Sequence, residues 1–249
     1  MNQKPKIVEF IGVSGSGKTT LYKKITCLNK KYNSLEIAAF RGLINNPKIK
    51  IPGRQILRML PENIISILNL TKIRYLYIDQ VISFSETSEF DKTFTNLNNY
   101  LSASTDNNKE KMLLTYNILK NICDLLLIMN PINNNKIILV DEFFLQKIFS
   151  LKINDKQISI YLDKLGYKID LLLKLNEEST VSLSRLRSRG VSRNSNIKNI
   201  GDEELLERIK DSQRTTNLIA TILKDNKLNI LEVDNDTNLK TIINTIDKI

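Results

Sequence analysis

The sequence predicts a three-layer α/β/α protein built on a mainly parallel sheet of about five strands. Three observations carry this. Short β-branched runs alternate with longer segments of helical periodicity, the pattern of strands joined by crossover helices. A glycine-rich loop stands between the first strand and the first helix. The 249 residues, 41% of them hydrophobic, are enough to close a substantial core as one domain, 1–249.

In order along the chain, Lys6-Ile7-Val8-Glu9-Phe10-Ile11 is β-branched and apolar up to Gly12 and reads as a buried strand. Leu21, Ile25 and Leu28 then recur at helical spacing. Residues 35–40 read as a second short strand, ending at Arg41-Gly42. From about residue 43 to 135 helical periodicity dominates, which predicts a helical insertion beside the sheet. One stripe there (Ile56, Leu57, Leu60, Ile64, Ile65, Leu68) is broken by Pro61, and a second runs from Met112 to Leu126 behind a polar loop at 102–108. Strands follow at 136–140, 170–175 and 228–233. Helices are predicted at 155–165, stopped by Gly166, at 180–190, at 202–224 with an acidic first turn, and at 239–249. The chain shows neither an internal repeat nor a linker.

The loop after the first strand, Gly12-Val13-Ser14-Gly15-Ser16-Gly17-Lys18-Thr19, matches the Walker A pattern at every fixed position. Three of the chain's eight glycines fall within it, and the strand before it and the helix behind it stand in the required order. Such a loop turns successive backbone N–H groups around a triphosphate, and the following helix adds the positive end of its dipole. Lys18 is therefore expected at the β- and γ-phosphates, Thr19 at Mg²⁺, and Thr20 as a further phosphate contact. Asp141 and Glu142 follow directly on the strand at 136–140, at the end of a parallel sheet where ligands gather. One carboxylate there can hold the metal, and either can take a proton from an attacking nucleophile. Arg185, Arg187, Arg189 and Arg193 crowd the segment after the strand at 170–175, and Arg185 and Arg189 share a helix face. Guanidinium groups so placed stabilise charge on a transferring phosphoryl group.

Composition removes other classes. Histidine is absent, so no histidine base, His-containing metal site or Ser-His-Asp triad operates in this chain. Cys27 and Cys123 lack the spacing of a metal site or disulfide framework and read as free thiols. The N-terminal residues run straight into a strand, and the apolar runs are far short of a bilayer span, so the reading is of a cytoplasmic protein without a membrane span. A net charge of +10 invites a nucleic-acid reading, but the lysines are scattered and only 6% of residues are aromatic, which argues against it. A homodimer is compatible with the sequence.

A P-loop, a helical region, a strand ending in Asp141-Glu142 and an arginine-bearing segment at about 176–200 together resemble the nucleoside and nucleotide kinases with the P-loop NTPase fold, thymidylate kinase-like enzymes in particular. The resemblance implies ATP and Mg²⁺ as cofactors and a small-molecule acceptor held by the helical region. It makes Arg185, Arg189 and Arg193 the arginines of a lid closing on the donor phosphates, and Arg41 an acceptor contact. The acceptor motifs diverge: Asp141-Glu142-Phe143 stands where thymidylate kinases have Asp-Arg-Tyr, and Phe40-Arg41-Gly42 replaces the acidic-proline motif. A hydroxyl acceptor must lose a proton as it attacks, and the Asp141-Glu142 pair supplies both a metal ligand and a base, so the expected acceptor is a sugar, polysaccharide precursor or nucleoside, with a nucleoside monophosphate next. The rival reading is a P-loop ATPase in which Glu142 positions water. The Asn-Lys-x-Asp guanine motif is absent, which lowers a GTPase reading.

Overall fold

A computed structural model describes residues 3–28, 31–83, 108–150, 154–163, 168–188 and 200–249. The strands β1 (Lys6–Ile11), β2 (Tyr32–Ser34), β3 (Ile137–Asp141), β4 (Leu171–Leu175) and β5 (Ile230–Val233) form one sheet in the order β2-β3-β1-β4-β5. Every neighbouring pair is parallel, with Val8 on β1 opposite Leu139 on one side and Leu171 on the other. Because β3 and β4 flank β1 on opposite sides, the direction of travel across the sheet reverses about β1. The crevice beyond its carboxyl end is where an open parallel sheet takes ligands.

Among the described residues, the α-helices that join and follow these strands are α1 (Lys18–Leu28), α2 (Leu35–Asn45), α3 (Arg54–Met59), α4 (Glu62–Ile67), α5 (Ile78–Ser83), α6 (Asn108–Ile128), α7 (Phe144–Lys147), α8 (Asp155–Asp163), α9 (Ser179–Ser188), α10 (Asp202–Asp225) and α11 (Leu239–Asp247). They make two cores, one per face of the sheet. Ile7, Ile11, Ile138, Val140 and Leu172 pack with α2, α6, α8 and α10. Val8, Phe10, Leu139 and Leu173 pack with α1 and α11. Strands buried on both faces explain why their sequences are continuously apolar rather than alternating, and the two cores establish the three layers expected from the sequence.

One expected element is corrected. Residues 35–40 form the first turns of α2, and the second strand is the shorter Tyr32–Ser34, paired with Ile137–Leu139. Helix α2 lies between two hydrophobic clusters: Leu35, Ala38, Ala39 and Leu43 face the sheet and α6, while Ile37, Phe40 and Ile44 face α3 and α4. A helix packed along two flanks shows no broad polar stripe, so its apolar run imitates a strand. The stop between strand and helix is Ser34, whose hydroxyl accepts from the Ile37 N–H as an N-cap.

The other elements fall close to expectation. Pro61 separates α3 from α4, and the stripe from Met112 to Leu126 lies in α6. Among the described residues between 43 and 135 there is no strand. Most of the polar loop expected at 102–108, and Gly166, lie outside the described residues. Gly42 has a packing role: a Cβ added there would stand 2.0 Å from the Leu127 carbonyl, so only glycine lets α2 approach α6 this closely. Cys27 is exposed and Cys123 buried, both as free thiols. Among the described residues no helix is long and apolar enough to cross a membrane.

Candidate nucleotide site at the carboxyl end of the sheet

The loop between β1 and α1 has the backbone of a phosphate cradle. Gly15 and Gly17 sit at φ +88° and +90°, and a Cβ at Gly15 would meet the Ser182 carbonyl at 2.6 Å, so both conformation and space demand glycine there. Lys18, on the first turn of α1, folds its ammonium back to donate to the carbonyls of Gly12 at 2.6 Å and Val13 at 2.9 Å, which holds the loop curled over the end of β1. The Ser14 position lies at the loop's exposed crest. The Ser16 hydroxyl is buried and has no hydrogen-bond partner among the described residues.

Thr19 and Thr20 are exposed on the same turn, and the Thr19 hydroxyl donates to Asp141 Oδ2 at 2.9 Å. The expected partnership between the P-loop and the end of β3 is thus a direct contact across 122 residues of sequence. Burial raises the Asp141 pKa above the ordinary carboxylate range and the Glu142 charge adds to this, against the Thr19 bond and the Lys18 charge. Its second oxygen, Oδ1, is buried without a hydrogen-bond partner among the described residues. A desolvated carboxylate with an unengaged oxygen beside a hydroxyl is an oxygen donor set that suits a hard divalent cation such as Mg²⁺. Among the described residues no cluster of three His, Cys, Asp or Glu side chains forms an all-protein metal cage. Mg²⁺ in phosphoryl-transfer sites is held by one or two carboxylates plus the substrate's own phosphates.

Glu142 is exposed and sits at φ 58°, a left-handed conformation that costs a non-glycine residue energy. Behind it is a residue the sequence did not single out. Glu9 on β1 is completely buried, and its Oε1 accepts from the Leu145 N–H at 3.0 Å, so it caps α7 immediately after the Asp141-Glu142 turn. Its only signal in the sequence is an acid inside an otherwise apolar strand.

A second polar group lies on the side of the sheet formed by β2, β3 and the helices of residues 35–128. The Glu36 carboxylate, exposed in the first turn of α2, accepts from the Tyr22 hydroxyl at 2.9 Å, and its charge acts on Asp141 and on Arg74, Tyr75 and Asp124. Arg74 and Asp124 are almost fully buried and joined twice, Nε to Oδ1 at 2.5 Å and a terminal nitrogen to Oδ2 at 3.1 Å. Tyr75 donates to Asp124 Oδ2 at 3.1 Å, while the Arg74 and Lys120 cations lie over its ring. Burial and the Asp124 charge push the Tyr75 phenol up, so it stays neutral. None of these residues was expected from the sequence. The pair is 50 residues apart and becomes visible only when α6 folds against residues 70–77. Arg41 donates instead to the carbonyls of Arg58 and Leu60 at 3.1 and 2.8 Å, which ties α2 to the end of α3.

On the opposite side, Arg185 of α9 reaches back over the P-loop, donating to the Gly15 carbonyl at 3.3 Å and to the buried carboxylate of Glu177. It lines a cleft of about 420 Å³ with Ser16, Gly17, Thr20, Asn235 and Leu239, open beside the loop. Arg187 is directed away, to Asp202 and the Ile200 carbonyl. Arg189 and Arg193 lie outside the described residues.

No protein-family model matches the chain, and no curated protein matches. Among solved structures, the chain is similar to deoxyadenosine kinase from M. mycoides with bound dCTP (16% identity, TM-score 0.45, covering 98% of this chain and 100% of that one). The same kinase with its products dCMP and a flexible dCDP matches at 15% identity and TM-score 0.45, over 98% of this chain and 100% of that one. With bound dATP it matches at 14% identity and TM-score 0.45, over 97% and 99%.

Proposed function

We propose that this chain is an ATP- and Mg²⁺-dependent small-molecule kinase, built as one unit with the acceptor held by the helical region at about 43–135 and a lid at about 176–200. The observation that carries the reading is the contact between Thr19 and Asp141, with Asp141 Oδ1 left unengaged beside it. The backbone of residues 12–17 and the start of α1 cradle the triphosphate. Lys18 exchanges its carbonyl partners for the β- and γ-phosphates. Thr19 and Asp141 would hold Mg²⁺, which would supply charge neutralisation on the donor phosphates. Glu142 or Asp141 takes the proton of an attacking hydroxyl, and Glu142, exposed and held at the end of β3, has the better access. Arg185, together with Arg189 and Arg193, supplies cationic charge to the transferring group.

The acceptor lies between Glu142 and the Glu36, Arg74, Asp124 group. An acceptor carrying a phosphate would meet two exposed carboxylates, Glu36 and Glu142, so a neutral acceptor rich in hydrogen-bonding groups suits these residues better. Nucleosides and sugars are therefore preferred over nucleoside monophosphates. The test is ATP consumption by purified protein with Mg²⁺, alone and against a panel of nucleosides, sugars and nucleoside monophosphates. A kinase consumes ATP slowly until a hydroxyl acceptor is added. Full turnover without any acceptor would establish the ATPase instead, and turnover with monophosphates alone would overturn the choice of acceptor.

A further inference from the structure

The mechanism above uses Arg185 but leaves unexplained the buried acid that holds it. Glu177 follows β4, and its side chain is 1% exposed. One carboxylate oxygen receives the Arg185 guanidinium; the other receives the side-chain amide of Asn235 at 2.9 Å and the N–H of Glu178 at 3.3 Å. Its backbone carbonyl is taken by Gln213 Nε2 at 2.6 Å, and Gln213 in turn accepts from Ser179 at the start of α9. A single buried acid thus joins α9, α10 and the turn between β5 and α11.

Two of those partners line the same cleft. Arg185 stands over the P-loop, and Asn235, in the turn at 234–237, lines the same cleft beside it, held by the other oxygen of the same carboxylate. That turn is fixed internally, with the Thr237 hydroxyl donating to Asp234 Oδ1 at 2.6 Å and accepting from the Asp234 N–H at 3.0 Å. A buried carboxylate shared by two donors cannot lose one without strengthening its hold on the other, because the charge must stay compensated.

We infer that Glu177 is a positioning residue that couples Arg185 to Asn235 through one shared carboxylate, so that the placement of Arg185 over the P-loop depends on the hydrogen bond from Asn235. This rests on the reading of the P-loop cleft as the donor site. A merely structural Glu177 would lower stability when replaced but leave Arg185 and Asn235 independent of one another. A coupling Glu177 makes them interdependent.

The experiment is a double-mutant cycle for binding of a non-hydrolysable ATP analogue with Mg²⁺, using Arg185→Ala, Asn235→Ala and the double variant, in the parent and in a Glu177→Gln background. Interdependence predicts that the two losses in the parent fail to multiply by a factor of at least about three, and that the discrepancy disappears in Glu177→Gln. Losses that multiply in the parent would overturn the inference, and this arm stands even if Glu177→Gln does not fold. So would a discrepancy that persists in folded Glu177→Gln. Should the parent bind no nucleoside triphosphate at all, the donor-site reading fails and the inference with it, an outcome distinct from binding with independent effects.

Discussion

The two sides of the crevice beyond β1 are built by different means. On the proposed donor side the phosphate cradle comes from a single stretch, residues 12–20, joined from afar only by Asp141 and Arg185; its backbone conformation is set by glycines and its lysine is anchored to carbonyls five and six residues away. On the proposed acceptor side the groups come from the start of α2, from residues 70–77 and from α6, and they are held by a buried ion pair spanning 50 residues. The donor side is local and made largely of backbone. The acceptor side is long-range and depends on side chains. A local cradle can be specified by a short motif and tolerates drift elsewhere, whereas a long-range polar group must be satisfied in full or it costs stability.

That difference yields separable predictions. The largest concerns the donor side: Lys18→Ala should lower kcat/KM by on the order of a thousandfold, about 4 kcal/mol of transition-state stabilisation, in steady-state assays with the active acceptor. Its unfolding midpoint should stay near that of the parent. On the acceptor side the balance reverses. Arg74→Ala strands the Asp124 carboxylate in the interior and should cost about 3 to 5 kcal/mol in urea unfolding. Gly42→Ala tests the same side through packing, because its Cβ collides with the Leu127 carbonyl; a loss of about 1 to 3 kcal/mol is expected. If Lys18→Ala proved the more destabilising substitution, the contrast between the two sides would collapse.

Asp141 gives the smallest stability effect and the sharpest one in sign. Its pKa is raised in the folded state, so the folded protein holds that proton more tightly than the unfolded chain. Stability from this group is therefore present at low pH, falls as pH rises from the unfolded value through the raised folded one, and remains lost above it. Asp141→Asn removes the desolvated charge. In metal-free protein at neutral pH it should raise Tm by about 2 °C while abolishing phosphoryl transfer, the trade of stability for activity expected at a functional site. A scan at pH 3 should erase the difference in Tm.

The same contrast explains what could be read from the sequence. The P-loop was legible because its chemistry is contiguous, and Asp141-Glu142 because the strand before it is a clean apolar run. The boundary between β2 and α2 was misread because α2 buries both flanks and shows no broad polar stripe, and because β2 is only three residues long. Glu9, Glu36, Arg74 and Asp124 left little trace. A lone acid or base in a chain with 37 Lys and Arg and 27 Asp and Glu carries no mark of burial or partner until the helices pack. Glu177 is only one of two adjacent acids after β4 in the sequence, and nothing there marks its burial against Arg185 and Asn235.

The claim on which the account depends is that Thr19 and Asp141 form the protein's half of a magnesium site serving the P-loop. Isothermal titration of a non-hydrolysable ATP analogue, with and without Mg²⁺, into the parent and Asp141→Asn tests it without any knowledge of the acceptor. A magnesium site at Thr19 and Asp141 predicts that Mg²⁺ tightens binding to the parent by roughly tenfold, about 1.4 kcal/mol, and has little effect on Asp141→Asn. An equal gain from Mg²⁺ in both proteins would contradict it.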